Sequence, residues 1–149
     1  MRQESRTFFV CALLLLSLIG ITGCASNMRR SGIPAPAQAA LQAAIDDIDG
    51  GRYDKLYQDS ADEWRHQSSL EESKATLMRM REKLGTARTR TQQTAREEQT
   101  STAPVAGHSV TVIYQTTFDR GEGIETFTLI ERGGNWALAK YYVSSSGLR

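Results

Sequence analysis

The chain has 149 residues, 18 lysines and arginines against 17 aspartates and glutamates, a formal net charge of +1, and 40% hydrophobic residues. A near-neutral balance gives no electrostatic case for DNA or RNA as a partner, and the length suits one folded domain. Cys11 and Cys24 are the only two cysteines, and both sit so near the N-terminus that no disulfide framework is available to the rest of the chain.

Residues 1–7 carry Arg2 and Arg6 against Glu4, and Phe8 to Ile21 is apolar apart from Ser17 and Gly20. A charged n-region followed by an apolar h-region is the layout of a secretory signal peptide. The 18 residues from Phe8 to Ala25 also carry no charge, which reaches the lower limit for a transmembrane helix. Gly20 and Gly23 weaken that helix. Cys24 by itself could be a thiol, a metal ligand or a disulfide partner. Ile21-Thr22-Gly23-Cys24, however, resembles the bacterial lipobox. The resemblance implies that a signal peptidase recognises Ile21, Thr22 and Gly23 and cuts before Cys24. Residues 1–23 are then discarded, and the acylated Cys24 becomes the mature N-terminus. Each buried CH₂ of its lipid contributes about 0.8 kcal/mol to membrane binding. Ala25 and Ser26 follow, rather than Asp, which in a Gram-negative cell implies sorting to the outer membrane, facing the periplasm. A Gram-positive host implies the outer face of the plasma membrane.

Residues 25–36 contain Gly32, Pro34 and Pro36 and show no periodicity. They read as a flexible tether that, with Cys24, forms segment 24–36, with a reach of about 20 Å from the √n scaling of flexible chains. Residues 37–149 read as a single domain able to bury one modest core. Its charge is unevenly spread. Nine acids against three bases lie between Gln42 and Glu72, and six bases against Glu82 alone lie between Arg79 and Arg96. The ordinary reading is solvated, mutually neutralising faces. The sharper one is a strip of Arg79, Arg81, Lys83, Arg88 and Arg90 for an anionic envelope partner such as a glycan.

Helices come first. Ala37, Ala40, Leu41, Ala44, Ile45 and Ile48 recur at spacings of three and four, one apolar stripe. Pro36 suits the first turn, and Asp49-Gly50-Gly51 ends the helix. Tyr53, Leu56 and Tyr57 form a short second turn. Ser60-Ala61-Asp62-Glu63 predicts a capping box that restarts the helix through Trp64, and Ser69-Leu70-Glu71-Glu72 predicts another. The helix opened there presents Leu70, Leu77, Met78, Arg81 and Leu84 on one side, and Gly85 closes it.

Strands follow. Thr86 to Thr100 is rich in Thr, Gln and Arg with weak alternation, which predicts one or two exposed or edge strands. Pro104 and Gly107 mark a loop. His108 to Phe118 alternates, with Val110, Val112, Tyr114 and Phe118 on one face. A turn at 119–123 leads to Ile124–Ile130, with Phe127 and Leu129 on one face, and Gly133-Gly134 signals a hairpin. Trp136–Val143 is the last strand, with faces Trp136/Leu138/Lys140/Tyr142 and Ala137/Ala139/Tyr141/Val143. Helices followed by a strand meander predict an α+β fold, with N-terminal helices packed on a curved antiparallel sheet of about four strands.

Lys83-Leu84-Gly85-Thr86-Ala87-Arg88, Phe127-Thr128-Leu129 and Trp136-Ala137-Leu138-Ala139-Lys140-Tyr141-Tyr142-Val143 resemble a bacterial family, domain of unknown function 4019, over roughly Ala39 to Ser144. The resemblance implies a nuclear-transport-factor-2-like, cystatin-like cone, and it carries no catalytic residues with it. Lys140-Tyr141 stands where that family tends to place Gly-Tyr.

Chemistry is sparse in the pattern. A carboxylate base with tyrosine donors, the arrangement of ketosteroid isomerase, could use Tyr53, Asp54, Tyr57 or Tyr114. The ordinary reading puts the tyrosines in the helix packing and Asp54 in solvent. Asp62 and His66 stand four apart, an acid–base dyad or a plain helix-surface pair. His108 is isolated, and two histidines without cysteine give no metal-ligand spacing. Trp64 and Trp136 read as core. No metal or cofactor is expected. The expected function is a membrane-anchored envelope lipoprotein with a non-catalytic domain that binds or assembles with an envelope protein, a glycan or a second copy of itself. The alternative is a small-molecule or enzymatic pocket inside the cone. An inhibitor-like module is a third reading, built on a projecting loop at Gln99–Gly107.

Overall fold

The computed structural model describes residues 28–100 and 106–149. The segments expected to be a signal peptide and a lipobox, with Cys24, lie outside the described residues, as does most of the Gln99–Gly107 stretch expected to project as a loop. In chain order the elements are β1 (Met28–Ser31), α1 (Ala35–Asp49), α2 (Tyr53–Gln58), α3 (Asp62–Arg65), α4 (Leu70–Leu84), β2 (Ala87–Thr100), β3 (Gly107–Phe118), β4 (Gly121–Arg132) and β5 (Asn135–Ser144), with a closing 3₁₀ turn at Ser146–Leu148. The strands form one antiparallel sheet in the order β1-β2-β3-β4-β5. The α+β expectation holds, with five strands in place of about four.

The additional strand comes from the segment expected to be a flexible tether. Met28–Ser31 pairs with Gln99–Arg96 of β2, so β2 is covered over that last stretch, while from Ala87 to Thr94 it remains an edge among the described residues, as expected. The helix likewise starts before Ala37. Pro34 is its N-cap and Pro36 sits in the first turn, where a missing N–H leaves no intrahelical bond unmade.

The α1 stripe packs as its spacing predicts: Ala37, Leu41, Ala44, Ile45 and Ile48 are buried. Gly51 takes the positive φ after the helix end, at 68°. Of the two expected capping boxes only one forms. Ser69 accepts from Glu72 N while the Glu72 carboxylate accepts from Ser69 N at 2.9 Å, closing both orphan donors reciprocally. Ser60 instead donates to the Tyr57 carbonyl at 2.7 Å, and Ala61 is the uncapped start of α3. On α4, Leu77 and Leu84 face the core, but Met78 is 53% exposed and Met80 takes its place against the sheet.

In the sheet, Val110, Val112, Tyr114 and Phe118 of β3 and Phe127 and Leu129 of β4 share the buried face, as alternation predicts. Two bulges disturb the pattern elsewhere. Register shifts at Ala87/Thr89 and Gln92/Thr94 flip the parity of β2. A third shift, at Thr128/Leu129, does the same to β5. Neither predicted face of β5 therefore survives whole. Trp136 and Leu138 pack on the main core before the bulge, and Tyr141 does so after it, with Val143 in the adjoining cluster around Leu84. The hairpin at Gly133 and Gly134 forms with φ of 59° and 82°, the pair of positive values that a type I′ turn requires.

Candidate functional site

Beneath the helices, the inward faces of β2, β3, β4 and β5 converge with the C-terminus of α1 on a charged cluster. Glu125 is completely buried. It shares the face of Phe127 and Leu129 because strand side chains repeat every two residues. Arg90 Nε donates to Glu125 Oε2 at 2.6 Å and Nη2 to Oε1 at 3.3 Å. The same guanidinium grips Asp49 at the end of α1 with a parallel pair of bonds, 2.7 and 2.8 Å. Thr116 and Tyr141 donate their hydroxyls to the two Glu125 oxygens, each at 2.6 Å. Burial opposes the Arg90 cation, but the hydrogen bonds from Asp49 and Glu125 outweigh it and raise its pKa further. Burial also drives the Tyr141 phenol well above its ordinary range, reinforced by the Glu125 charge and hydrogen bond. Tyr141 thus stays an O–H donor.

This is a carboxylate-and-tyrosine arrangement of the kind the sequence raised, assembled from residues that the pattern did not nominate, Glu125 and Tyr141. It is a closed set. Each carboxylate oxygen is occupied twice, and the cavity beside it measures about 20 Å³, room for roughly one water. The residues nominated earlier have other work. Tyr53 is buried in the core, Asp54 pairs with Lys74 at 2.9 Å, and Tyr57 donates to the Ser68 carbonyl at 3.0 Å. Tyr114 lies edge-on to Phe127 with ring centres 5.9 Å apart, and burial raises its pKa. Asp62 pairs with Arg65 at 2.6 Å rather than with His66, so no Asp62–His66 dyad forms.

The five bases expected as one strip are dispersed. Arg90 is inside. Arg81 donates to the carbonyls of Ile48 and Asp49 at 3.2 and 2.7 Å, satisfying the orphan end of α1. Arg88 pairs with Asp119 across the β2–β3 end of the sheet. Only Arg79 and Lys83 stay together, on the outer edge of α4, and there they line a wide surface groove. That groove has a volume of about 510 Å³ and runs between α4 and β5. Its floor is apolar, with Leu77, Met80, Tyr141 and Val143. Trp64 also lines it, its indole N–H donating to Ser73 Oγ at 2.9 Å. The volume lies in the range of small-ligand sites. The sequence signal for it was faint, because its strand wall follows the β5 bulge.

A second polar feature lies at the other end of the sheet. His108 on β3 is held between Glu131 on β4 at 2.6 Å and Glu97 on β2 at 2.5 Å, with Trp136 edge-on at 4.7 Å between ring centres. Burial lowers the imidazole pKa, yet the two carboxylate hydrogen bonds outweigh it and raise it. A histidine whose folded pKa exceeds its unfolded value stabilises the fold below the unfolded value, and that contribution is lost as pH rises through the folded one. Thermal melts across pH 5 to 9 should therefore show Tm falling above the ordinary histidine range. His108→Gln should remove that component of the slope; an unchanged profile would show the contact to be inert.

Among the described residues there is no group of three or more His, Cys, Asp or Glu placed to hold a metal, and no helix long and apolar enough to cross a membrane. The family model described as protein of unknown function, DUF4019, matches residues 39–141. That span runs from α1 to Tyr141 and contains every member of the buried cluster. No curated protein matches the chain.

Proposed function

The chain belongs to the DUF4019 family of proteins of unknown function, and from that premise we propose that it is an envelope lipoprotein, acylated on Cys24, whose α+β domain is a non-catalytic binding module. The observation that carries this reading is the contrast between two concavities among the described residues. The buried carboxylate is fully occupied beside about 20 Å³, whereas about 510 Å³ of apolar groove opens at the surface. An enzyme needs its reactive carboxylate within reach of substrate, and Glu125 is walled in by Arg90, Thr116 and Tyr141.

The placement of the sheet supports the anchoring half of the reading. With β1 beginning at Met28, the four residues from Cys24 to the sheet span at most about 14 Å fully extended. A lipid on Cys24 would hold the β1 edge close to the bilayer. The groove lies at β5, the opposite edge, four strand spacings or about 19 Å along the sheet. It would face the aqueous compartment, where a partner can reach it.

Cys24→Ala, expressed in the native host and followed by membrane fractionation, tests the anchor. The variant should move from the membrane pellet to the soluble fraction, or accumulate as an unprocessed precursor with residues 1–23 still attached. If instead it is processed and pelleted as the native chain is, acylation is not what holds it.

A further inference from the structure

The groove has an architecture that narrows its occupant. β5 is the outermost strand of the sheet, paired with β4 on one side only. Its outer edge is partly covered: Ala61 N–H, at the start of α3, donates to the Leu138 carbonyl at 2.9 Å. Beyond Leu138, no other described element makes a backbone bond to that edge. An unpaired edge is a ready template for another strand.

The wall of the groove shows that this edge looks into it. Ala139, Lys140, Tyr141, Tyr142 and Val143 all line it. Side chains of a strand alternate between faces, so a hollow lying over one face gathers every second residue. Five in succession means that the strand is seen edge-on. The facing wall is one side of α4 at helical spacing. Ser73, Leu77 and Met80 form the floor, and the exposed Glu72, Thr76, Arg79 and Lys83 form the rim.

The rim is cationic. Among the described residues Arg79 reaches only the Thr76 hydroxyl, at 3.3 Å, and Lys83 only the Leu148 carbonyl, at 3.0 Å. Lys140 on the strand side is exposed. The single acid, Glu72, is already engaged by the backbone and side chain of Ser69.

We propose that the groove binds an extended, acidic segment of a partner protein, which adds to β5 as a sixth strand and sets its carboxylates against Arg79, Lys83 and Lys140. This rests on the binding-module reading and specifies its partner. Strand addition draws affinity from main-chain hydrogen bonds and specificity from pockets for alternate side chains. An extended segment uses both the open edge and the apolar floor, whereas an alkyl chain uses the floor alone. A second copy of the chain, pairing β5 with β5 about a twofold axis, repeats the same patch on both sides and would bring two cationic rims together.

The test uses the full chain in phospholipid nanodiscs. The probes are a ten-residue peptide alternating Val and Glu, its Val and Lys counterpart, and dodecyl phosphate. Readouts are peptide affinity and hydrogen exchange at the amides of Lys140–Ser144. The acidic peptide should bind and slow exchange in that stretch, and the basic one should not. Arg79→Glu combined with Lys140→Glu should weaken binding at least tenfold while leaving the circular dichroism unchanged, since both side chains are exposed. Absence of slowing at β5, or equal binding of both peptides, overturns the proposal. Slowing by dodecyl phosphate in place of peptide assigns an amphiphile site, overturning strand addition while leaving the binding module standing. Concentration-dependent protection without any probe assigns a second copy and equally overturns the acidic segment. A native chain that binds none of the probes and does not self-associate removes the binding module along with it.

Discussion

Arg90→Met is expected to lower the unfolding free energy by about 3–5 kcal/mol, the usual effect of stripping one partner from a buried ion pair. The reason lies in what is left behind. Glu125 is completely buried, and without the guanidinium its charge keeps only the hydroxyls of Thr116 and Tyr141. Asp49 loses its two bonds as well, but it lies nearer solvent, with 34% of its side chain exposed. Glu125→Gln should cost less, about 1.5–3 kcal/mol, the range for hydrogen bonds to charged groups. Arg90 then retains Asp49, and an amide oxygen can still accept from a hydroxyl. The order of the two variants is thus the informative result. Urea unfolding of both, with the m-value monitored, measures it. If Glu125→Gln proves the more damaging, or both cost less than about 1 kcal/mol, the cluster does not hold the sheet to α1.

The same cluster explains how far the fold can be read from residues alone. Wherever a strand is regular, alternation places its side chains correctly. Val110, Val112, Tyr114 and Phe118 share the buried face, and Phe127 and Leu129 lie on that same face one strand over. That parity also puts Thr116 and Glu125 on the buried face, so a carboxylate in an apolar row was legible and asked for a cation. Its partner was not. Arg90 lies between two bulges of β2, where each extra residue turns the strand over, and a Thr-, Gln- and Arg-rich segment then shows no dominant face. The β5 bulge hid the groove in the same way, by moving Tyr141 and Val143 to the side that Trp136 and Leu138 occupy upstream. Met28–Ser31 carries no apolar alternation of its own, and its strand exists through pairing with β2, a long-range contact that local pattern does not contain. Helix starts divided by tertiary context rather than by local signature. Both serines have a glutamate three residues on, but Glu72 returns the bond of Ser69, whereas Glu63 pairs with Arg132 and the Ser60 hydroxyl donates to the Tyr57 carbonyl.

Phe127→Ala should cost about 3–5 kcal/mol, the range for truncating a buried aromatic, and its consequence should reach the groove. Phe127 is fully buried, at the centre of an aromatic row with Tyr114 at 5.9 Å and Tyr141 at 4.8 Å between ring centres. Those two neighbours flank the charged cluster, and Tyr141 is shared between the cluster and the groove wall. Removing the ring leaves a cavity beside Tyr141, whose hydroxyl is fixed by Glu125 at one end while its ring loses its packing partner. The groove floor should then loosen even in molecules that remain folded. Phe127→Leu is the companion variant, since it keeps an apolar side chain in the gap and should cost less than truncation to Ala. Thermal unfolding ranks the stabilities, and hydrogen exchange at β5 reports the groove. The expected outcome is a graded loss, with Phe127→Ala accelerating exchange in Lys140–Val143 more than Phe127→Leu does. Equal destabilisation by both variants would mean that ring shape, rather than filled volume, is what the core requires at this position. Unchanged exchange at β5 in a destabilised Phe127→Ala would mean that the groove wall stands without the aromatic row, held by the β4 ladder alone.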